Sequence, residues 1–182
     1  MANILLCCSA SVSVYKACDL ASKLAQKGHR VRTVLTENAA RLVSPQLFHA
    51  VTGEPAQVTE WGEERRGAMD HIELSRSVDL VVVAPCSADL AARLAHGMAD
   101  DLVTTSLLAV PPATPRLLYP AMNPNMLAHP AVQRNFEVLR GDGWTLVEAE
   151  EGHMACGDEG AGRLAEPATI VAAAERALGQ GA

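Results

Sequence analysis

At 182 residues, with 21 Asp and Glu against 15 Lys and Arg and a net charge of −6 at pH 7, the chain has the length of one domain and the wrong sign for nucleic acid or an anionic membrane. Six aromatic side chains are too few for a base-stacking platform, and five cysteines without a C-x-x-C pair give no zinc or thioredoxin-like signature, so no metal site is expected. The N-terminus lacks a basic region followed by a cleavable apolar segment and no apolar run approaches spanning length, which predicts a cytoplasmic protein in a reducing compartment.

Residues 4–8 read as a first strand, and 15–27 as a helix with Ala17, Leu20, Ala21 and Leu24 on one face, closed by Gly28. The turn between them, Ser9-Ala10-Ser11-Val12-Ser13, lacks the G-x-G-x-x-G spacing of a dinucleotide site but brings three hydroxyls and successive amides to a helix start. Residues 31–35 make a second strand, and Thr36 is the N-cap of a short helix through Ala39. Ser44-Pro45 opens a further helix that stops at Gly53. Residues 54–70 turn polar and mixed in charge, and read as a long surface excursion. His71 follows in a short segment; a lone histidine there would ordinarily be structural.

The stretch 79–101 organises the chain. A β-branched run ends in Ala84-Pro85, and Ser87, Ala88, Asp89 and Leu90 begin a helix, the junction at which open α/β sheets hold ligands. A nearly separate helix is expected over 98–109, a strand over 116–119, then a loop containing Ala121 and Asn123. Residues 130–139 form a helix, 144–147 the last strand and 167–178 a closing alanine-rich helix. Between the last two lies a glycine-rich loop carrying Met154, Ala155, Cys156, Asp158 and Arg163, which reads as a mobile lid that brings a thiol and charges to one place.

This order predicts a single α/β domain over residues 1–182, a three-layer sandwich around a parallel sheet of five or six strands. Ser9 to Ser13, Thr36, Ser87 to Asp89 and Ala121 to Asn123 would converge beyond the strand C-termini, so a nucleotide-like cofactor is expected there.

The first turn, His71-Ile-Glu-Leu74, Ala84-Pro-Cys-Ser-Ala-Asp89, Gly97-Met-Ala-Asp-Asp-Leu102, Pro120-Ala-Met-Asn123 and Ala155-Cys-Gly-Asp158 through Arg163, in that order over nearly the whole chain, resemble the flavin-dependent cysteine decarboxylase family. The resemblance implies a flavodoxin-like fold, an FMN cofactor and a homo-oligomer, a trimer or a dodecamer built from trimers. It implies FMN contacts from Ser9, Ala10, Ser11, Thr36, Ala39, Ser87, Ala88, Asp89, Leu90 and Ala121. It also implies His71 as active-site base, Asn123 on the substrate carboxylate or amide, and substrate contacts from Met154, Ala155, Asp158 and Arg163. Cys156 occupies the position of a proton donor. Ala10 stands where the family commonly has glycine, Asp89 where asparagine is frequent, and Leu164 where methionine is common.

The implied activity on a small-molecule substrate is decarboxylation of 4′-phosphopantothenoyl-L-cysteine to 4′-phosphopantetheine in coenzyme A biosynthesis, through a thioaldehyde and an enethiol. Two other readings stand beside it: oxidative decarboxylation of the C-terminal cysteine of a peptide, and an FMN-binding regulatory subunit without catalysis.

Overall fold

Apolar strands alternate with one-sided helices along the chain, and the computed structural model, which describes residues 1–61, 69–153, 157 and 159–179, gathers the strands into one parallel sheet. The strands are β1 (Asn3–Cys8), β2 (Arg30–Leu35), β3 (Leu80–Cys86), β4 (Arg116–Pro120) and β5 (Thr145–Leu146), in the spatial order β2-β1-β3-β4-β5. This is the flavodoxin-like order. The central strand β3 is buried along its whole length, which a strand covered on both faces requires of its residues.

Alternation along β1 sends Ile4, Leu6 and Cys8 into one apolar cluster and Leu5 and Cys7 into the other. The first cluster lies under α1 (Tyr15–Gln26), α3 (Pro45–Thr52) and α9 (Pro167–Gly179), through residues such as Leu20, Phe48 and Ile170. The second lies under α4 (Asp70–Ser75), α5 (Ala88–Ala95), α6 (Leu102–Ala109) and α8 (Pro130–Gly141), through Leu74, Leu90, Leu107 and Phe136. Two one-turn helices, α2 (Glu37–Ala40) and α7 (Pro124–Leu127), follow β2 and β4 directly. Cys7, Cys8 and Cys86 are fully buried, and burial pushes all three thiols well up from the ordinary value, so they are small core residues.

Four expectations are refined. The excursion after Gly53 is not wholly a surface feature: Gln57 bonds alongside β2, its N–H donating to Thr33 O at 3.0 Å and its carbonyl accepting from Leu35 N at 2.9 Å, which adds one rung to the sheet edge. Asp70–Ser75 is a helix. The helix expected over 98–109 begins only at Leu102, because Asp101 caps it, accepting from Thr104 N at 2.8 Å. The glycine-rich lid includes an antiparallel ribbon, β6 (Glu150–His153) with β7 (Glu159–Arg163). Among the described residues no helix is long and apolar enough to cross a membrane.

Candidate functional site

The crevice of a sheet in this order lies where successive connections leave in opposite directions, between the C-terminal ends of β1 and β3. Backbone bonds extend the pairing one residue beyond the strands: Ser9 N donates to Pro85 O, Thr36 N to Cys8 O and Ala121 N to Cys86 O, each at 3.0 Å. Four loops therefore leave the sheet at one level. Ser9 fastens two of them together, since its buried hydroxyl donates to Pro85 O at 3.0 Å and accepts from Ser87 N at 2.7 Å.

The remaining polar groups divide between caps and donors. Ser87 accepts from Leu90 N at 3.2 Å, and Thr36 from Ala39 N at 3.2 Å, so both hydroxyls open helices. Ser11 and Ser13 are half-buried, and their hydroxyls lie 3.0 Å apart where the chain enters a single 3-10 turn, Val12–Val14, and then α1. Across the crevice the amides of Ala88 and Asp89 open α5 and have no partner within that helix. Hydroxyls on one wall and helix-start amides on the other suit a phosphate monoester, and buried Ala39, Leu90 and Ala121 suit an apolar ring beside it. These residues fit FMN. Ala10 is half-buried in the same turn.

Asp89 does not stand alone. Arg93, one turn on, contacts Asp89 at 3.1 Å, Asp100 at 3.1 Å and Asp101 at 2.7 Å, and so ties the start of α5 to the cap of α6. The Asp101 carboxyl is raised by burial but lowered further by the Thr104 N–H, Arg93 and the Thr104 hydroxyl, and ends below the ordinary carboxylate range.

His71 approaches from the β2 side. Gln57, paired beside Val34, donates from Nε2 to Asp70 Oδ2 at 3.1 Å, and both side chains are buried. That bond sets the first turn of α4 level with the C-terminal half of β2, the edge at which the four loops end. Arg32 of β2 holds the other end of α4, donating to the carbonyls of Glu73 at 2.6 Å and Arg76 at 3.1 Å. His71 Nδ1 lies 2.5 Å from Glu60 Oε1, and neither atom has a hydrogen-bond partner elsewhere among the described residues.

The ribbon meets the loop of Asn123 one residue before Arg163. Asn123 Oδ1 accepts from Asn125 N at 2.9 Å and opens α7, while Met122 N donates to Gly162 O at 3.1 Å and fixes β7 against that loop. Gly152 has φ +147°, and a Cβ there would lie 2.6 Å from Arg163 Nη1, so the arginine side chain crosses β6 where only glycine leaves room. Arg163 Nη2 contacts Glu166 at 3.2 Å, and Glu166 pairs with Lys16 of α1 at 2.7 Å. Met154, Ala155, Cys156 and Asp158 lie outside the described residues.

Glu60, Gln57 and Arg93 were not among the residues singled out by motif. Glu60 and Gln57 fall in a polar stretch without periodicity and meet His71 or its neighbour only through the fold. Arg93 was legible in principle, because Asp89 and Arg93 stand four apart on a helix.

The family model described as Flavoprotein matches residues 1–179. The coenzyme A biosynthesis bifunctional protein CoaBC of Bacillus subtilis is 45% identical over 96% of this chain, and CoaBC of Escherichia coli 42% identical over 93%. The chain spans about two-fifths of the length of those bifunctional relatives (42% and 41%). A probable phosphopantothenoylcysteine decarboxylase of Streptococcus mutans is 35% identical over 97% of this chain and 98% of its own. Among solved structures, a PPC decarboxylase mutant complexed with pantothenoylaminoethenethiol superposes with a TM-score of 0.87 at 28% identity over 96% of each chain. The FMN-dependent cysteine decarboxylase SpaF superposes with a TM-score of 0.82 at 31% identity, over 100% of this chain and 97% of that one. The chain belongs to the Flavoprotein family, in the group of the flavin-dependent cysteine decarboxylases.

Proposed function

We propose that this chain binds FMN between the β1 and β3 loops and decarboxylates 4′-phosphopantothenoyl-L-cysteine to 4′-phosphopantetheine, as a homo-oligomer, trimeric or dodecameric, of the cytoplasm. The observation that carries this reading is the crevice itself: Ser9 joins its two walls, with the Ser11 and Ser13 hydroxyls on one and the first amides of α5 on the other.

FMN held there would take hydride from the substrate's β carbon and give it back once carbon dioxide has left. Ser9, Ala10 and Ser11 would hold its phosphate together with Ser87, Ala88 and Asp89; Thr36 would close the β2 side, and Ala39, Leu90 and Ala121 would flank the ring. A carboxylate next to an amide nitrogen leaves only when the electrons it releases have somewhere to go, so the substrate must be held with its cysteine end against the cofactor. Asn123, neutral and bidentate, orients that carboxylate without the stabilisation a cation would give it. His71 takes the proton released from the substrate, imidazole being the side chain suited to proton exchange near neutrality. Arg163 reaches the substrate from β7, with Met154, Ala155 and Asp158 in the segment before it. Cys156 donates the proton that accompanies the returned hydride, and the two together complete the saturated product.

The test is to incubate the purified yellow protein with phosphopantothenoylcysteine, without added oxidant, and to weigh the product. Loss of carbon dioxide alone, with the flavin oxidised at the end, is the expected result. An unchanged substrate beside bound flavin would overturn it; loss of carbon dioxide from a peptide ending in cysteine would instead establish oxidative decarboxylation of a peptide's C-terminal cysteine.

A further inference from the structure

The contact between Glu60 and His71 has a chemical consequence. A carboxylate oxygen and an imidazole nitrogen that both present lone pairs repel one another at 2.5 Å, so a proton must lie between them. Both atoms are buried and neither has a hydrogen-bond partner elsewhere among the described residues, which leaves each as the other's means of satisfaction. The carboxylate is the acceptor and the ring the donor.

We propose that Glu60 is a positioning residue for His71: its carboxylate keeps a proton on Nδ1 and leaves Nε2 as the nitrogen that accepts the proton released by the substrate. This rests on the reading of His71 as the base. In that transfer the proton passes to the Nε2 lone pair, Nδ1 keeps its own proton, and the charge gained by the ring is met by Glu60. The same division of labour between two ring nitrogens recurs wherever a carboxylate orients a basic histidine.

The surroundings single out Glu60. On α4 itself, Asp70 is engaged by Gln57 Nε2, and Glu73 is exposed. Arg32 of β2 spends two of its nitrogens on the carbonyls of Glu73 and Arg76, and Arg30 pairs with Glu54 at 2.8 Å. α6, packed against α4, carries no charged side chain between Leu102 and Ala109. Among the described residues Glu60 is therefore the charged group in contact with the imidazole.

The experiment is nitrogen-15 NMR of the flavin-loaded protein with labelled histidine, together with kinetics, for the native chain, Glu60→Ala and Glu60→Gln. Native His71 should show a protonated Nδ1 and a bare Nε2. Glu60→Ala should shift population toward the tautomer protonated at Nε2 and lower kcat by roughly ten- to a hundredfold, the usual scale for losing a residue that orients a histidine. KM and flavin content should be unchanged, while the thermal midpoint of Glu60→Ala falls by several degrees because the buried Nδ1 loses its partner. Glu60→Gln keeps an acceptor and should retain the native tautomer in part, with intermediate kcat. A native ring already protonated at Nε2, or an unchanged tautomer in Glu60→Ala, would overturn the proposal. A native protein without turnover would overturn the reaction, while the spectra would still decide the positioning.

Discussion

The Ser9 hydroxyl is buried at the point where the first and third strands hand the chain to their loops, and both its bonds cross between them. Replacing it with alanine takes the side-chain partner from the half-buried Ser87 N–H and one of two partners from the Pro85 carbonyl, which keeps its bond from Ser9 N, a loss of about 1 kcal/mol. Ser9→Ala should therefore melt at lower temperature and also release flavin more readily, because the two walls of the crevice are no longer tied together. Thermal unfolding read beside the flavin absorbance of the purified protein checks this; an unchanged melting point with full flavin would show that Ser9 does not hold the walls. Several site residues were legible at this scale because they obey local rules. Thr36 and Ser87 cap helices at the strand ends as their types and positions predict. Glu60 was not legible, since its meaning depends on a histidine eleven residues on that reaches it through the fold.

The elements divide in the same way. β1, β3 and α1 carry periodicities that leave one reading, and Ser44-Pro45 with Gly53 mark both ends of α3, Gly53 taking a left-handed φ of +73°. The ribbon of β6 and β7 was invisible as strands because glycine stands at 152, 160 and 162, where alternation of side chains would have signalled a sheet. Likewise α4 is only six residues long, too short for a helical period to stand out. The link between α5 and α6 depends on Arg93, whose side chain is 14% exposed while it contacts three carboxylates. Arg93→Met should cost about 1–3 kcal/mol, between the worth of exposed pairs and the penalty for breaking a buried one. It should also weaken FMN retention, since Asp89 would then stand uncompensated at the start of α5. Two like charges a few ångströms apart in a solvated cleft cost about 1 kcal/mol, a several-fold loss of affinity that narrows as salt is raised. Flavin titration of the apoprotein at low and high ionic strength measures it; equal affinities for variant and native chain would show that the Asp89 charge does not reach the cofactor.

At the scale of the whole molecule, two apolar layers enclose the sheet and bury three thiols that nothing else in the fold requires to ionise. Cys7, Cys8 and Cys86 keep their protons in the folded state well above the ordinary thiol value, because burial penalises the thiolate. The unfolded chain has no such restraint and loses these protons from about pH 8.5 upward. Above that pH the folded state binds more protons than the unfolded one, so stability falls as pH rises, by about 1.4 kcal/mol per unit for each thiol and roughly 4 for the three together. Against a total of about 5–15 kcal/mol for a domain, one or two units of alkalinity remove much of the margin. Urea midpoints at pH 7.5, 8.5 and 9.5 should show little change over the first step and a steep drop over the second. Cys86→Ala lowers stability at every pH by removing core volume, yet its fall between pH 8.5 and 9.5 should be about a third shallower. Parallel curves for the variant and the native chain would mean that the loss of stability at high pH comes from groups other than the buried thiols.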